Sequence, residues 1–262
     1  MGFGKYIGAG LGWAFGGPIG ALVGFAFGYM MEDKSFKQPN QARQAGSDQY
    51  RQQARSDYRQ QYQQYRHRTT GNDFASALLV LSAAVMKADG KLMKSELDFI
   101  RQFFTQNFGP AVAAEQIGIL KELLKKDIPV REVCEQIRYF MEHPMRLQML
   151  HYLFGIARAD GNVDKSEVDM IRTISDALGI SPKDYDSIRA MFYKDATSAY
   201  KILEISSDAT DGEVKRAYRR MANKYHPDKV STLGDSHVKA AKEKFVKVQE
   251  AYETIKKERK MK

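Results

Sequence analysis

The 262-residue chain carries 41 Lys and Arg against 32 Asp and Glu, a formal charge of +9, and one cysteine, Cys134. A lone cysteine excludes a disulfide within the chain and a cysteine-based zinc site, and fits a reducing compartment. No Walker A loop, GxSxG elbow or HExxH motif is present, so common enzyme signatures are absent, and the basic balance points to an acidic partner, an anionic lipid surface or nucleic acid.

The first element, residues 1–31, is a glycine ladder. Gly4, Gly8, Gly12, Gly16, Gly20, Gly24 and Gly28 fall on every fourth residue, and Tyr6 to Met31 holds no charge. As a helix the segment is about 39 Å long, enough to cross a hydrocarbon core of about 30 Å with some tilt. Glycine costs a soluble helix about 1 kcal/mol per interior position, but in lipid small residues let helix backbones approach closely. The expectation is a single transmembrane helix that forms a homodimer through Gly8, Gly12, Gly16, Gly20, Gly24 and Gly28. Trp13, Phe15, Leu22, Phe25 and Phe27 are then left for the lipid face. Two alternatives stay open: a hairpin turning at Gly16-Gly17-Pro18, and a cleaved signal peptide with Lys5 as its basic flank. Lys34, Lys37, Arg43, Arg51 and Arg55 follow the span, so the positive-inside rule puts the rest of the chain in the cytoplasm.

Residues 32–71 read as a Gln-, Arg- and Tyr-rich linker. Tyr50, Tyr58, Tyr62 and Tyr65 alternate with arginines and no aliphatic core former appears. Such a segment spaces a folded domain from the bilayer, though it could also lie on anionic headgroups or stack on single-stranded nucleic acid.

Residues 72–195 are helical throughout, with about seven short helices and no convincing strand. Phe74, Leu78, Leu81 and Val85 form one apolar face, Leu97, Ile100 and Phe104 another, then Ile117, Leu120 and Leu124. Pro129 and Pro144 stand at helix starts. Cys134 reads as a small buried hydrophobe, and His143 and His151 as packing or capping groups. A segment repeats: KADGKLMKSELD (Lys87–Asp98) returns 71 residues later as RADGNVDKSEVD (Arg158–Asp169). Each copy turns at Asp-Gly and opens a helix, with Asp164 and Glu167 as a capping box. The calcium-loop reading fails, because Val85 and Lys87, and Ile156 and Arg158, stand where carboxylates are needed. A pseudo-two-fold could instead pool Asp89, Glu96, Asp160 and Glu167 into one acidic site for a divalent metal or a docking partner. On this repeated acidic turn the segment resembles the TerB-like helical domain associated with tellurite resistance, which implies an all-helical fold and a possible metal.

Residues 197–262 carry the most specific pattern. Thr210 and Glu213 make a capping box. Val214, Ala217, Tyr218, Met221 and Tyr225 form an apolar stripe, with Lys215, Arg216, Arg219, Arg220 and Lys224 on the rest of the helix. Pro227 stops the helix, and a second helix from about Ala240 to Lys257 packs Phe245, Val248, Ala251, Tyr252 and Ile255 back onto the first. His226-Pro227-Asp228 is left at the exposed tip. The tripeptide, KRAYRR (Lys215–Arg220) and KFxxVxxAY (Lys244–Tyr252) together resemble a J-domain of the DnaJ family. Glu204 departs from that pattern, standing where the family has glycine, and the chain ends in KKERKMK with little room for a fourth helix.

The resemblance implies a co-chaperone, not an enzyme, that binds a DnaK-type ATPase chaperone and stimulates its ATP hydrolysis. It would need no cofactor of its own, and His226, Pro227, Asp228, Lys215, Arg216, Arg219, Arg220 and Lys224 would carry the binding. From Ser198 onward sixteen Lys and Arg face ten Asp and Glu, a net +6, which suits steered, salt-sensitive encounter with an acidic groove. In its order of parts the chain resembles the DjlA family of membrane-anchored DnaJ-like proteins of bacteria, whose span also dimerises. The all-α expectation is therefore an anchor, a TerB-like bundle and a J-domain hairpin. One rival is a TerB-type metal-binding or envelope-stress sensor with an accessory J-domain. The other is a basic nucleic-acid binder, against which the absence of salt-dependent RNA binding would count.

Overall fold

The computed structural model describes residues 17–26, 71–161, 164–193, 197–233 and 235–261, and among these every regular element is helical. Seven helices build the middle domain: α1 (Gly71–Met86), α2 (Lys94–Phe108), α3 (Pro110–Leu123), α4 (Val130–Phe140), α5 (His143–Ala157), α6 (Lys165–Ala177) and α7 (Pro182–Phe192). Then come a short α8 (Ser198–Ile202), α9 (Asp211–Lys224), a 3₁₀ turn (Pro227–Leu233) and the long α10 (Asp235–Glu258).

Helix α1 sits at the centre of the bundle. The sequence reading gave it one apolar face, but nearly every side chain from Phe74 to Met86 is buried. It packs against α3, α4, α5 and α6 at once, as a helix that is apolar all round must. Its buried polar side chain, Ser82, is satisfied by donating to the Leu78 carbonyl at 2.6 Å. Cys134 is fully buried, and that burial, with Glu135 adding, pushes its thiol up to about 12. It is an inert packing group, as the sequence suggested.

Of the glycine ladder only Gly20 and Gly24 fall in the described residues; Gly8, Gly12, Gly16 and Gly28 lie outside them, as does nearly all of the 32–71 linker. Two findings differ from the expected lipid-facing span. Residues 17–26 are helical and lie against the bundle: Ile19 and Ala26 are buried, and the Ile19 amide donates to Gln136 Oε1 on α4 at 3.0 Å. Leu22 and Phe25, assigned to lipid, pack partly against protein, with the Lys126 ammonium 4.3 Å from the Phe25 ring centre. The physical reason is that the same apolar side chains satisfy a protein groove as readily as acyl chains. In addition, Gly17 has φ +59°, outside the right-handed helical region, within the Gly16-Gly17-Pro18 stretch read as the alternative turn. Among the described residues no helix is long and apolar enough to cross a membrane.

Candidate functional site: the His-Pro-Asp tip and its surroundings

Helix α9 starts where the capping box says it should. Thr210 Oγ1 accepts from the Glu213 amide at 3.3 Å, and Glu213 Oε2 accepts from the Thr210 amide at 2.7 Å. Val214, Ala217, Met221 and Tyr225 are buried, while Lys215, Arg216, Arg219 and Arg220 stand exposed along the helix. Tyr218 stacks on Tyr252 of α10 with ring centres 4.4 Å apart, which fixes the two helices side by side.

At the end of α9 the chain turns into the 3₁₀ segment. Pro227 opens it, as a residue with fixed φ and no N–H can, and the Lys229 amide donates to the His226 carbonyl at 3.0 Å. His226 Nδ1 accepts from the Asp228 amide at 3.3 Å. With Nδ1 so used, Nε2 is the ring nitrogen left to donate. The Asp228 side chain is 87% exposed and that of His226 48%. The tip thus presents one donor and one carboxylate to a partner, beside an open cationic helix.

Two of the predicted cations are less free than the others. Arg220 Nη2 donates to the Leu203 carbonyl at 3.2 Å. Lys224 Nζ lies between Glu204 Oε1, at 2.6 Å, and the carboxylate of Asp184, which belongs to α7 of the bundle. Glu204 has φ +57°, which explains why the J-domain pattern carries glycine there: a side chain in the left-handed region costs about 1 kcal/mol. Its ion pair with Lys224 offsets part of that strain.

Sequence reasoning missed Arg259. Its Nε donates to Tyr200 Oη at 3.1 Å, and its other nitrogens reach the carbonyls of Ala209 and Ser207. The terminal KKERKMK is therefore no spare tail, because it ties the end of α10 to α8 and to the loop before α9. The signal was a terminal arginine in a run of lysines, which reads as solvated charge.

The acidic residues of the repeat do come together. Asp89, Glu96, Asp160, Asp164 and Glu167 line one cavity of about 240 Å³, with Gly90 and Gly161 making matching left-handed turns at its edge. One oxygen on each of four of these carboxylates is already taken by a backbone amide. Glu96 Oε2 accepts from the Met93 amide at 3.0 Å and Glu167 Oε2 from the Asp164 amide at 3.2 Å. Asp89 Oδ1 accepts from the Lys91 amide at 2.8 Å, and Asp164 Oδ1 from the Ser166 amide at 2.8 Å. Each glutamate caps its own helix, and the two carboxyls meet across the repeat. Burial, opposed by the Met93 amide and reinforced by Glu167 and Asp89, pushes Glu96 up to about 8. One proton shared by the pair relieves the repulsion. Among the described residues no group of three or more His, Cys, Asp or Glu side chains is arranged to hold a metal ion. The described residues thus offer no fitting donor set for the expected metal, and four of the carboxylates each give one oxygen to a backbone amide.

Three family models match the chain in succession: the co-chaperone DjlA transmembrane domain over residues 1–49, the tellurite resistance protein TerB over 75–190, and the DnaJ domain over 198–262. The chain is a DjlA-like co-chaperone. It is 28% identical to the co-chaperone protein DjlA of Coxiella burnetii, over 68% of this chain and 74% of the relative. The DjlA proteins of Aliivibrio fischeri and Vibrio vulnificus are 26% and 28% identical, each over 71% of this chain and 79% and 78% of the relatives. No solved structure matches the chain. The DjlA-like assignment accounts for the order of parts, with the tip, capped basic helix and buttressing bundle in one continuous chain.

Proposed function

We propose that this chain is a membrane-anchored co-chaperone whose J-domain docks on a DnaK-type ATPase chaperone and raises its rate of ATP hydrolysis. One observation carries the reading: His226-Pro227-Asp228 stands exposed at the end of a capped basic helix, inside a J-domain match. Lys215, Arg216 and Arg219 steer the encounter with an acidic groove, and their field raises the association rate in a salt-dependent way. Asp228 accepts charge-assisted hydrogen bonds from a partner arginine, His226 Nε2–H donates, and Pro227 keeps both in place. The chain supplies no reacting group, since the hydrolysis takes place on the partner.

The test is single-turnover ATP hydrolysis by the host's DnaK-type chaperone, with the full chain in detergent and with its His226→Gln variant. Stimulation that disappears in the variant is the expected result. Equal rates with and without the chain would overturn the reading.

The anchor is the glycine ladder, matched by the DjlA transmembrane model. In this proposal it holds the chain at the bacterial inner membrane, with the folded part in the cytoplasm, and pairs two copies through the small-residue stripe. The left-handed φ of Gly17 supports a turn there, and with it two short arms as the alternative to one straight span. Cysteine accessibility on either side of the bilayer separates the two. Replacing Gly16, Gly20 and Gly24 with leucine should abolish crosslinked dimers while insertion persists.

A further inference from the structure

The tip is held from both flanks by the helical bundle. On the N-terminal flank, Lys224 is clamped by Asp184 of α7 and Glu204, and the next residue, Tyr225, is only 3% exposed. On the C-terminal flank, Val230 is 2% exposed and the 3₁₀ turn rests on α1 and α5. Between these fixed points His226 and Asp228 remain open to solvent. The first clamp is itself well built. Asp184, 5% exposed, accepts from Ser181 Oγ at 2.7 Å and lies 3.4 Å from His143 Nε2. Burial alone would push its carboxyl up, yet the contacts of His143, Lys224 and Ser181 hold it well below the usual carboxylate range. A second link ties α7 to the J-domain at a different helix, as Ser187 Oγ of α7 donates to the Ile202 carbonyl of α8 at 2.9 Å.

We propose that Asp184, a residue of the TerB-like bundle, is a positioning residue for co-chaperone activity: by clamping Lys224 it pins the turn that carries His226-Pro227-Asp228. The inference rests on the co-chaperone reading. It reassigns Lys224 from partner contact to scaffold, and makes the bundle part of the J-domain's working unit. Pinning a binding loop in its bound form removes an ordering cost that the partner's contacts would otherwise have to offset. A loose tip would still engage, but at higher concentration. The effect therefore falls on the concentration for half-maximal stimulation and leaves the maximal rate nearly untouched.

The experiment compares the full chain with Asp184→Asn and Asp184→Glu, titrated into the ATPase assay, alongside amide hydrogen exchange resolved to peptides. Asp184→Asn should raise the half-saturating concentration about three- to tenfold, with the maximal rate changed less than about twofold. Exchange over residues 225–233 should accelerate while α6 keeps its protection, and Asp184→Glu should restore both. Unchanged half-saturation with unchanged exchange overturns the proposal. Acceleration across the whole chain also overturns it, since Asp184 would then serve general stability. If the unmodified chain gives no stimulation, the co-chaperone reading fails, and the exchange pattern still decides whether Asp184 pins the turn.

Discussion

Replacing Glu96 with glutamine tests the carboxyl pair at the centre of the repeat. The amide keeps an acceptor for the Met93 N–H and gains a donor toward Glu167, so the shape of the site survives. The electrostatics do not. In the native chain Glu96 holds its proton up to about 8, against an ordinary value of 4.5. A folded-state value raised in this way adds stability that is complete below about 4.5 and is lost as the pH climbs through about 8. At roughly 1.4 kcal/mol per unit, the loss between about pH 5.5 and about pH 8 is at most about 3 kcal/mol. Glutamine has nothing to lose, so Glu96→Gln should be close to neutral at the acid end and stabilising by up to that amount at the basic end. For a folded part of this size that is about 6–12 °C in Tm. Lys244 acts in the opposite direction: its burial lowers it to about 7, so its contribution recovers with rising pH. It is present in both proteins and cancels in the difference. Urea melts of the two chains at several pH values give the measurement. A difference that is flat across the window would refute the shared-proton argument.

Other expectations follow from single contacts. Asp164→Ala removes the oxygen that accepts from the Ser166 amide and should cost about 1 kcal/mol in urea melts. At Glu204, with φ +57° and the ion pair to Lys224, alanine keeps the strain and loses the pair, costing about 1–2 kcal/mol, whereas glycine relieves the strain and should cost about 0.5 kcal/mol or less. Lys244, 2% exposed, should be better replaced by methionine below about pH 7, where its ammonium is buried, with a gain of about 1 kcal/mol that vanishes above about pH 10. Arg216→Glu with Arg219→Glu should slow association with the DnaK-type partner by about tenfold or more at low salt and flatten its salt dependence, as stopped-flow binding would report.

Local rules made some of this molecule readable in advance. The capping boxes at Thr210–Glu213 and Asp164–Glu167 follow from a side-chain oxygen and a carboxylate three residues apart, and both form as read. The J-domain was legible because its tip needs a proline stop, a basic helix and a returning apolar stripe in register. The sequence reading preferred capping for the repeated turn and offered convergence as the alternative; the glutamates do both, and the four carboxylates share one cavity. Their orientation was not legible, because whether a glutamate faces a cavity or its own helix start depends on rotamers and neighbours. Nor was the Lys224–Asp184 clamp. Forty residues separate the two, and on a helix that is basic on all its exposed faces Lys224 looks like its neighbours. Glu204 stood out as a departure from glycine, but only the backbone angle shows what the departure costs. The ladder left its packing partner open for a related reason: the spacing of small residues says that something packs closely, and does not say whether the neighbour is another span or the bundle.

Five residues separate the last bundle helix from the first of the J-domain, and the tip itself leans on α1 and α5. J-domains tethered by long Gly/Phe-rich segments sweep a volume, and their chaperone can approach a client from many directions. Here the swing is removed. On the proposed function, a chaperone docked on His226-Pro227-Asp228 would take its bearing from the bundle, and a client held by that bundle would be met at one heading and one distance. The helical domain would then work as a jig, with selectivity among clients set by which chains lie within that single line of reach.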